Sequence, residues 1–432
     1  MKELEHLKKL SGVKSGTGIK FLSPAVSPGC HCPMRMAALT AKNIEGLSSL
    51  LVGMPECTTH VRLFNPKPDG NHGEMHWLYV LDANEVVFGC RDGLMDALKV
   101  MDREGAKAIL LIATCVPELT GEDMEAIIHE VQPELSASVS HVMLGQFKNF
   151  SYPPGYWKTM EALVALMNGQ QTNPLQVNVL GRSPKEDHIP MPSLLSELES
   201  KGLTLRYLAP GTSLEEIQKA PDAALNLVVS PYAQPMSVRM EQEFGVPYIS
   251  LHTAFSVKDI DQAYEEIAER FGFTWNGEFA KEREKAIALE QQAAETLRGI
   301  KYVCASGVSL PLVLAAYLDG FGMEPLLIHM EEFYPEDKKH SKALIAMGQN
   351  PPVCRMVNEE SDVLVLQKLA PDICFGNLPP GEKTIPRVED MMHLYGIIGY
   401  SLTEKLLLQT FQVTDKTGIT GKGENKYGTA SI

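Results

Sequence analysis

The chain of 432 residues is 44% hydrophobic and 22% charged, with a formal net charge of −15, which is typical of a globular protein of about three ordinary domains. Phosphate binding needs clustered Lys and Arg, so this charge argues against a nucleic-acid partner and against an anionic membrane surface. No apolar run approaches the roughly 20 residues that span a bilayer, and we therefore expect a cytoplasmic protein without a membrane partner.

Residues 1–23 begin with charged residues that alternate with leucines and continue as a Gly/Ser/Thr-rich segment. This pattern predicts a short amphipathic helix and lacks the unbroken apolar core of a signal peptide. No G-K-[ST] motif closes the glycine-rich segment or occurs elsewhere in the chain. The sequence therefore predicts no nucleotide hydrolysis through a phosphate-binding loop.

Three cysteines lie at predicted junctions between a loop and a helix. Cys32 directly precedes Pro33, which suits the first position of a helix. Cys57 follows a short buried strand predicted at Leu50–Val52, and Cys115 follows the apolar strand A-I-L-L-I-A. Such junctions offer free backbone N–H groups and a field that favours an anionic ligand.

The spacing of these thiols indicates that the fold brings them together. Between Cys32 and Cys57 lie 24 residues, and between Cys57 and Cys115 lie 57. Ligand pairs of a local zinc knuckle lie about two to four residues apart, so one loop cannot hold this site. After Cys115, a capping box of Thr120 and Asp123 is predicted to open the next helix, at the sheet edge where α/β proteins bind ligands.

Strands and helices alternate through the rest of the chain. This alternation predicts an α/β fold of three Rossmann-like, doubly wound domains, each a parallel sheet flanked by helices, with a cleft between them. A capping box of Ser213 and Glu216 is predicted to open one helix of the second domain. The predicted domains are residues 1–171, completed by 385–432, then residues 172–298 with a linker helix, and residues 299–384.

The cysteine segments resemble those of the nitrogenase component 1 superfamily. They read C-P-M-R-M-A, G-M-P-E-C-T-T-H-V-R and T-C-V-P-E-L-T-G-E-D, and their spacing is similar to that of the β-type subunits. Further segments also resemble the family, and they are V-V-F-G, A-L-N-L-V-V-S-P, F-G-V-P-Y and A-P-D-I-C-F-G-N. The resemblance therefore extends over nearly the whole chain.

The resemblance implies an iron–sulfur cluster, either [4Fe-4S] or larger and similar to a P-cluster, shared across a subunit interface. Cys32, Cys57 and Cys115 would ligate its iron, since soft thiolates are the donors that such clusters require. The other half of the cluster would come from a sister subunit or from a second copy of this chain. Electrons would arrive from an ATP-hydrolysing iron–sulfur reductase, and the complex would be oxygen-sensitive.

His60 and Arg62, which follow Cys57 on the predicted helix, are candidates for supporting roles. Arg62 could offset the charge of the cluster, and His60 could deliver protons because imidazole titrates near neutral pH. For His60 a histidine bonded to backbone is an equally good interpretation.

The other cysteines leave alternatives open. Cys30 could be a spare ligand, a redox-active neighbour or a passive residue, and a zinc site of Cys30 with the three other thiols competes with the cluster. No role is predicted for the four remaining cysteines, because free cysteine is commonly a buried core residue. They are Cys90, Cys304, Cys354 and Cys374.

The chain departs from the family at the place where its catalytic α-type subunits bind their large cofactor. The cofactor cysteine expected after the strand L-N-L-V-V-S is replaced by Ser230, a poor substitute for a thiolate. Only His393 offers a weak counterpart to the family's histidine ligand. We therefore expect that this chain does not anchor a nitrogenase cofactor by itself.

These observations predict an iron–sulfur subunit of a nitrogenase-like, two-component reductase that relays electrons to a substrate or cofactor. The substrate could be a tetrapyrrole or a small sulfur or nitrogen compound. The alternatives are a scaffold for metallocluster assembly, a tetrapyrrole-reducing homodimer, and a binding module without metal.

Overall fold

The computed structural model describes residues 4–23, 32–62, 70, 72–169, 171–183, 189–356, 359–378, 382, 384–389 and 391–418. Cys30 lies outside these ranges. The strands are β1 (Lys8–Lys9), β2 (Lys20–Phe21), β3 (Leu47–Gly53), β4 (His76–Val80), β5 (Ala108–Ala113), β6 (Ser138–Met143), β7 (Asn173–Leu180), β8 (Thr204–Leu208), β9 (Ala223–Val228), β10 (Tyr248–Ser250), β11 (Lys301–Cys304), β12 (Glu324–His329), β13 (Pro352–Arg355), β14 (Ile373–Phe375) and β15 (Arg387–Val388).

Helices alternate with these strands along most of the chain. They are α1 (Met34–Lys42), α2 (Pro55–Arg62), α3 (Ala83–Phe88), α4 (Arg91–Arg103), α5 (Cys115–Thr120), α6 (Met124–Val131), α7 (Pro153–Ala162), α8 (Ser193–Ser200), α9 (Leu214–Lys219), α10 (Gln234–Phe244), α11 (Val257–Phe271), α12 (Ala280–Thr296), α13 (Pro311–Asp319), α14 (Asp337–Ala346), α15 (Glu359–Leu369) and α16 (Tyr400–Thr417). Across the described ranges, none of the helices combines the length and apolar composition that crossing a bilayer requires.

The first sheet is parallel and has the strand order β4-β3-β5-β6. Its two central strands, β3 and β5, are buried at every position, as expected for strands covered on both faces. β3 is longer than the predicted Leu50–Val52, because Leu47, Ser48 and Ser49 also pair with β5. The carboxyl ends of β3 and β5 therefore lie side by side, with Val52 opposite Ala113.

The second sheet is also parallel, with the order β10-β9-β7-β8. A buried polar pair crosses its centre, where the side-chain amide of Asn178 donates to Oδ1 of Asn226 at 2.9 Å. The predicted capping box of Ser213 and Glu216 is confirmed at the start of α9. Capping satisfies N–H groups that the first turn of a helix leaves without partners.

The third sheet has the order β1-β13-β12-β11-β14-β15, and β2 also pairs with β13. All of its pairings are parallel except that between β1 and β13. The prediction of an α/β fold built on parallel sheets flanked by helices is confirmed by the three sheets together.

The prediction of an amphipathic helix in residues 1–23 is wrong for the part that the structure describes. Residues 4–23 instead form β1, β2 and two 3-10 turns along the edge of the third sheet. The apolar residues Leu10, Ile19 and Leu22 are buried there. Their burial against a sheet outweighs the weak helical preference of a segment this short.

The chain forms two compact units, each with its own core. One unit comprises residues 30–188 and 198–250 and holds the first two sheets, and the other comprises residues 1–29, 189–197 and 251–432 and holds the third. In the unit of the first two sheets, one core joins Leu110 and Ile112 to Leu180 and Val228. The predicted boundary near residue 172 thus falls between two sheets that share a core, and the division into three domains stays a prediction.

Candidate metal centre

Cys32 lies immediately before α1, whose N-cap is Pro33. The backbone N–H groups of Met34 and Arg35 donate hydrogen bonds to the Sγ atom of Cys32. Free N–H groups at the start of a helix favour a negative charge, so this position suits a thiolate. Pro33 was predicted at the first helical position and lies one residue earlier.

Cys57 lies in the first turn of α2, which follows the carboxyl end of β3. Gly53, the last residue of β3, makes this arrangement possible. A Cβ atom at residue 53 would overlap the side chain of Thr114 and lie 3.3 Å from Sγ of Cys57. The thiol of Cys57 therefore lies against the end of β3, beside the residue that precedes Cys115.

Cys115 is the first residue of α5 and follows β5 through Thr114. The backbone N–H and the hydroxyl of Thr114 both donate to the carbonyl of Val52, at 3.1 and 2.9 Å. These bonds tie the end of β5 to the end of β3. In addition, the backbone N–H of Gln146, in the turn after β6, donates to Sγ of Cys115 at 3.2 Å.

The three thiols lie close enough to act on one another electrostatically. Burial, together with the neighbouring thiols of Cys115 and Cys57, raises the pKa of Cys32 to about 11, although hydrogen bonds from the backbone oppose the shift. Burial is the largest of these effects. The structure thus brings together the three segments that the sequence singled out.

This arrangement suits a group that supplies positive charge. Three thiolates would repel one another in a partly buried site, whereas a coordinating metal holds thiols in the deprotonated form. In the part of the chain that the structure covers, no three His, Cys, Asp or Glu side chains are grouped so as to hold a metal ion. In an iron–sulfur cluster the thiolates bind separate iron atoms, and soft sulfur donors with N–H···S bonds fit such a cluster.

His60 lies one turn after Cys57 on α2. Burial and, second, the positive charge of Arg35 lower the pKa of His60. The imidazole is therefore neutral at pH 7, and its role in delivering protons stays a prediction.

Arg62 is the last residue of α2 and lies over the first sheet. It lines a cavity of about 40 Å³ together with His76, Trp77 and Ser49. Within this cavity the hydroxyl of Ser49 and Nδ1 of His76 are hydrogen-bonded at 2.9 Å. The predicted role of Arg62 in offsetting cluster charge stays a prediction.

Sequence reasoning missed Arg35 and Gln146. Arg35 follows Cys32 by three residues in C-P-M-R, a spacing that places it one turn away and could have indicated it. The N–H of Gln146 reaches Cys115 only because β6 pairs with β5. No local pattern in the sequence predicts that contact.

Four other cysteines that the structure describes are buried core residues. Cys304, Cys354 and Cys374 are fully buried in strands of the third sheet. Cys90 is buried at the start of α4, and burial raises its pKa to about 12. These positions agree with passive core residues.

The structure also describes Thr120, Asp123 and Ser230, for which the sequence made predictions. The capping box of Thr120 and Asp123 is wrong, because Asp123 alone caps α6 while the Thr120 hydroxyl donates to Val116 within α5. Ser230 is fully buried, and its Oγ accepts the N–H of Tyr232. The side chain of His393 lies outside the described part of the structure.

A family model supports the resemblance. The family model of nitrogenase component 1 type oxidoreductases matches residues 32–409 of this chain. The chain belongs to this family. The match begins at Cys32 and contains all three thiols of the site.

The curated relatives that match this chain include cofactor biosynthesis proteins and nitrogenase subunits. The chain is 26% identical over 280 residues to the nitrogenase iron-molybdenum cofactor biosynthesis protein NifE of Nostoc sp., covering 61% of this chain and 57% of that protein. It is 26% identical over 313 residues to the nitrogenase molybdenum-iron protein alpha chain of Methanothermobacter marburgensis, covering 69% and 65%.

A third relative is the light-independent protochlorophyllide reductase subunit N of Chlorobium phaeobacteroides, 23% identical over 273 residues and matched over 62% of each chain. The matches thus span about six tenths of the length of these relatives. Among solved structures, "Nitrogenase Cp1 at pH 6.5" is similar with a TM-score of 0.65, at 18% identity, over 95% of this chain and 97% of that one. This likeness confirms the fold expected of a nitrogenase component 1 protein.

Proposed function

We propose that this chain is the iron–sulfur subunit of a nitrogenase-like, two-component reductase. In this proposal Cys32, Cys57 and Cys115 ligate the iron of one cluster, which would supply one-electron transfer when bound. The observation that carries the proposal is the convergence of three thiols at the ends of β3 and β5 and the start of α1. Family membership adds support, because the matched region contains all three.

The chain's own groups would then act as ligands and as hydrogen-bond donors. The N–H groups of Met34, Arg35 and Gln146 point at thiol sulfurs. Hydrogen bonds to ligand sulfurs stabilise the more negative, reduced form of an iron–sulfur centre. The N-termini of α1 and α5, next to Cys32 and Cys115, add a positive field that also stabilises negative charge.

A partner subunit would complete the cluster. The three thiols are only half-buried in this chain. Beside them, Phe147 follows Gln146 and is 62% exposed. Because three thiolates can supply only part of a cluster's ligands, we propose that a sister subunit or a second copy of this chain covers the thiols and Phe147.

The ATP-hydrolysing reductase would dock on a neighbouring apolar patch. Val87 and Phe88, at the end of α3, are 70% and 85% exposed, and Leu119 on α5 is 59% exposed. α3 and α5 contact each other, and just beyond their ends the N–H of Cys90 donates to Glu122 at 3.2 Å. Since α5 begins at Cys115, docking there would bring a donor near the thiols.

The experiment is metal analysis after purification without oxygen. The wild-type complex should contain iron and acid-labile sulfide, with the absorbance of an iron–sulfur cluster. Cys57→Ala should lose most of the iron, whereas Cys90→Ala, the matched control at a buried cysteine, should keep it. Zinc in place of iron would support the mononuclear alternative, and a colourless wild-type protein would support a binding module without metal.

The names of the relatives favour a second candidate, a scaffold for metallocluster assembly. Several matched relatives are NifE cofactor biosynthesis proteins, including that of Nostoc sp.. A scaffold would pass a loaded metallocluster to an acceptor protein without turning over a substrate. Sustained substrate reduction by the complex with its reductase would reject this candidate.

The proposal includes two classes of substrate for the reductase, a tetrapyrrole and a small compound. The relative named protochlorophyllide reductase subunit N favours a tetrapyrrole, and a homodimer acting on such a ring is one form of this proposal. The second class is a small sulfur or nitrogen compound reduced at a cofactor on a sister subunit, and the relative named as a nitrogenase alpha chain favours the nitrogen compound. Turnover assays with each class, using the reconstituted complex, would separate them.

A further inference from the structure

Arg35 lies in the first turn of α1, close to the thiol of Cys32. Its backbone N–H donates to the Sγ atom of Cys32. Its guanidinium carbon lies 5.9 Å from the centroid of the Tyr152 ring. A cation over an aromatic face at this distance is held by the ring quadrupole, so Tyr152 helps to fix the position of the charge.

The same guanidinium acts on the helix that carries Cys57. α1 and α2 pack against each other, and Arg35 is the cation that acts on His60. His60 lies one turn after Cys57, as Arg35 lies one turn after Cys32. The positive charge of Arg35 therefore acts across the contact between the two helices, while its backbone N–H reaches the thiol of Cys32.

Arg62, the arginine that the sequence suggested for this role, has a different setting. It lies five residues after Cys57, at the far end of α2, and lines the cavity with His76 and Trp77. On a helix, residues five apart do not share a face, whereas residues three apart do. Its position favours contacts over the first sheet.

We propose that the guanidinium of Arg35, and not that of Arg62, is the fixed positive charge that tunes the metal centre of Cys32, Cys57 and Cys115. Arg35 acts as a positioning residue for electron transfer and raises the reduction potential of the centre. This inference rests on the proposed function.

The physical reason is the charge change on reduction. One electron arrives from the external reductase, no bond to the protein forms or breaks, and the centre becomes more negative by one charge. A cation nearby stabilises the reduced form more than the oxidised form. Removing the cation should therefore make the centre harder to reduce.

The experiment is a potentiometric titration of the complete, anaerobically purified complex, followed by electron paramagnetic resonance. Arg35→Gln removes the charge, and Arg35→Lys keeps it. Arg62→Gln is the matched control, because it removes a positive charge from α2 instead. We expect Arg35→Gln to lower the reduced-to-oxidised ratio at fixed potential roughly tenfold. For a one-electron couple, this ratio corresponds to a reduction potential that is lower by about 59 mV. Arg35→Lys and Arg62→Gln should titrate like the wild type.

The outcomes separate this inference from the proposed function. A wild-type complex without a cluster would defeat the proposed function. A normal cluster in Arg35→Gln with an unchanged potential, or a larger shift in Arg62→Gln, would overturn the role of Arg35 alone. If Arg35→Gln fails to load, retention of the cluster by Arg35→Lys supports a need for the charge, and loss in both variants indicates packing and overturns the inference.

Discussion

Gly53 faces the side chain of Cys57 so closely that a methyl group at residue 53 would lie 3.3 Å from its Sγ atom. The same methyl group would overlap the side chain of Thr114, which is bonded to the end of β3. Gly53 is therefore the point at which β3, α2 and the start of α5 approach one another. The absence of a side chain there leaves room at the end of β3 for the side chains of both Cys57 and Thr114, the residue before Cys115.

Gly53→Ala should disturb the thiol site more than the fold. We expect a destabilisation of about 1–3 kcal/mol, because the added methyl group must push Thr114 and Cys57 aside in a packed region, together with a loss of bound iron. Urea unfolding and iron analysis would measure the two effects. Gly169→Ala is the matched control, since nothing lies within 4 Å of a Cβ atom at that glycine; equal iron loss in both variants would contradict this account.

The raised pKa of Cys32 predicts its reactivity in metal-free protein. Only a thiolate reacts rapidly with an alkylating agent, and burial raises the pKa of Cys32 to about 11. Its alkylation at pH 8 should be slow and should accelerate up to about pH 11, as peptide mass spectrometry can follow. Fast reaction near pH 7 would show that the thiol is not in the environment described above.

The same pKa predicts how the stability of the metal-free protein depends on pH. In the unfolded chain the thiol ionises near the ordinary cysteine pKa of 9.0. The folded form binds the proton more tightly, so this contribution is present below pH 9 and is lost as pH rises toward 11. Partial exposure limits it to roughly 1–2 kcal/mol. Unfolding of Cys32→Ala should lack this part of the alkaline loss, and an identical pH profile would refute it.

Phe88→Ser should weaken docking of the reductase without loss of the cluster. Phe88 is 85% exposed and belongs to the apolar patch with Val87 and Leu119. Removal of an aromatic anchor from an interface costs about 1–3 kcal/mol. We expect kcat/KM for the reductase to fall by about 5- to 150-fold, with iron content unchanged. Leu364→Ser, at an apolar residue that is 61% exposed on α15, is the control; equal losses in both variants would argue against a docking patch.

The sequence predicted the parts of the site that depend on local pattern. Cys57 and Cys115 follow buried strands, as the apolar runs before them indicated. Parallel strands place their carboxyl ends at one edge of a sheet, which explains why residues so distant in sequence meet. The alternation of strands and helices likewise predicted the fold class.

The rest depended on contacts that no local pattern encodes. The N–H of Gln146 reaches Cys115 through strand pairing, and residues 4–23 pack on the third sheet although their charges and leucines suggested a helix. Arg35 was overlooked because Arg62 matched the pattern of the resembled family. The contact of α1 with α2 brings the charge of Arg35 within electrostatic range of His60, and this contact is not encoded by any local pattern.

The central claim is that one metal–sulfur centre is bound by the thiols of residues 32, 57 and 115. It is tested most directly by counting iron and acid-labile sulfide per chain in the anaerobically purified variant with serine at all three positions, beside the wild type, with circular dichroism to verify folding. If the three thiols bind the centre, the variant should be folded and almost devoid of both iron and sulfide. A folded variant that retains the wild-type content of both would contradict it.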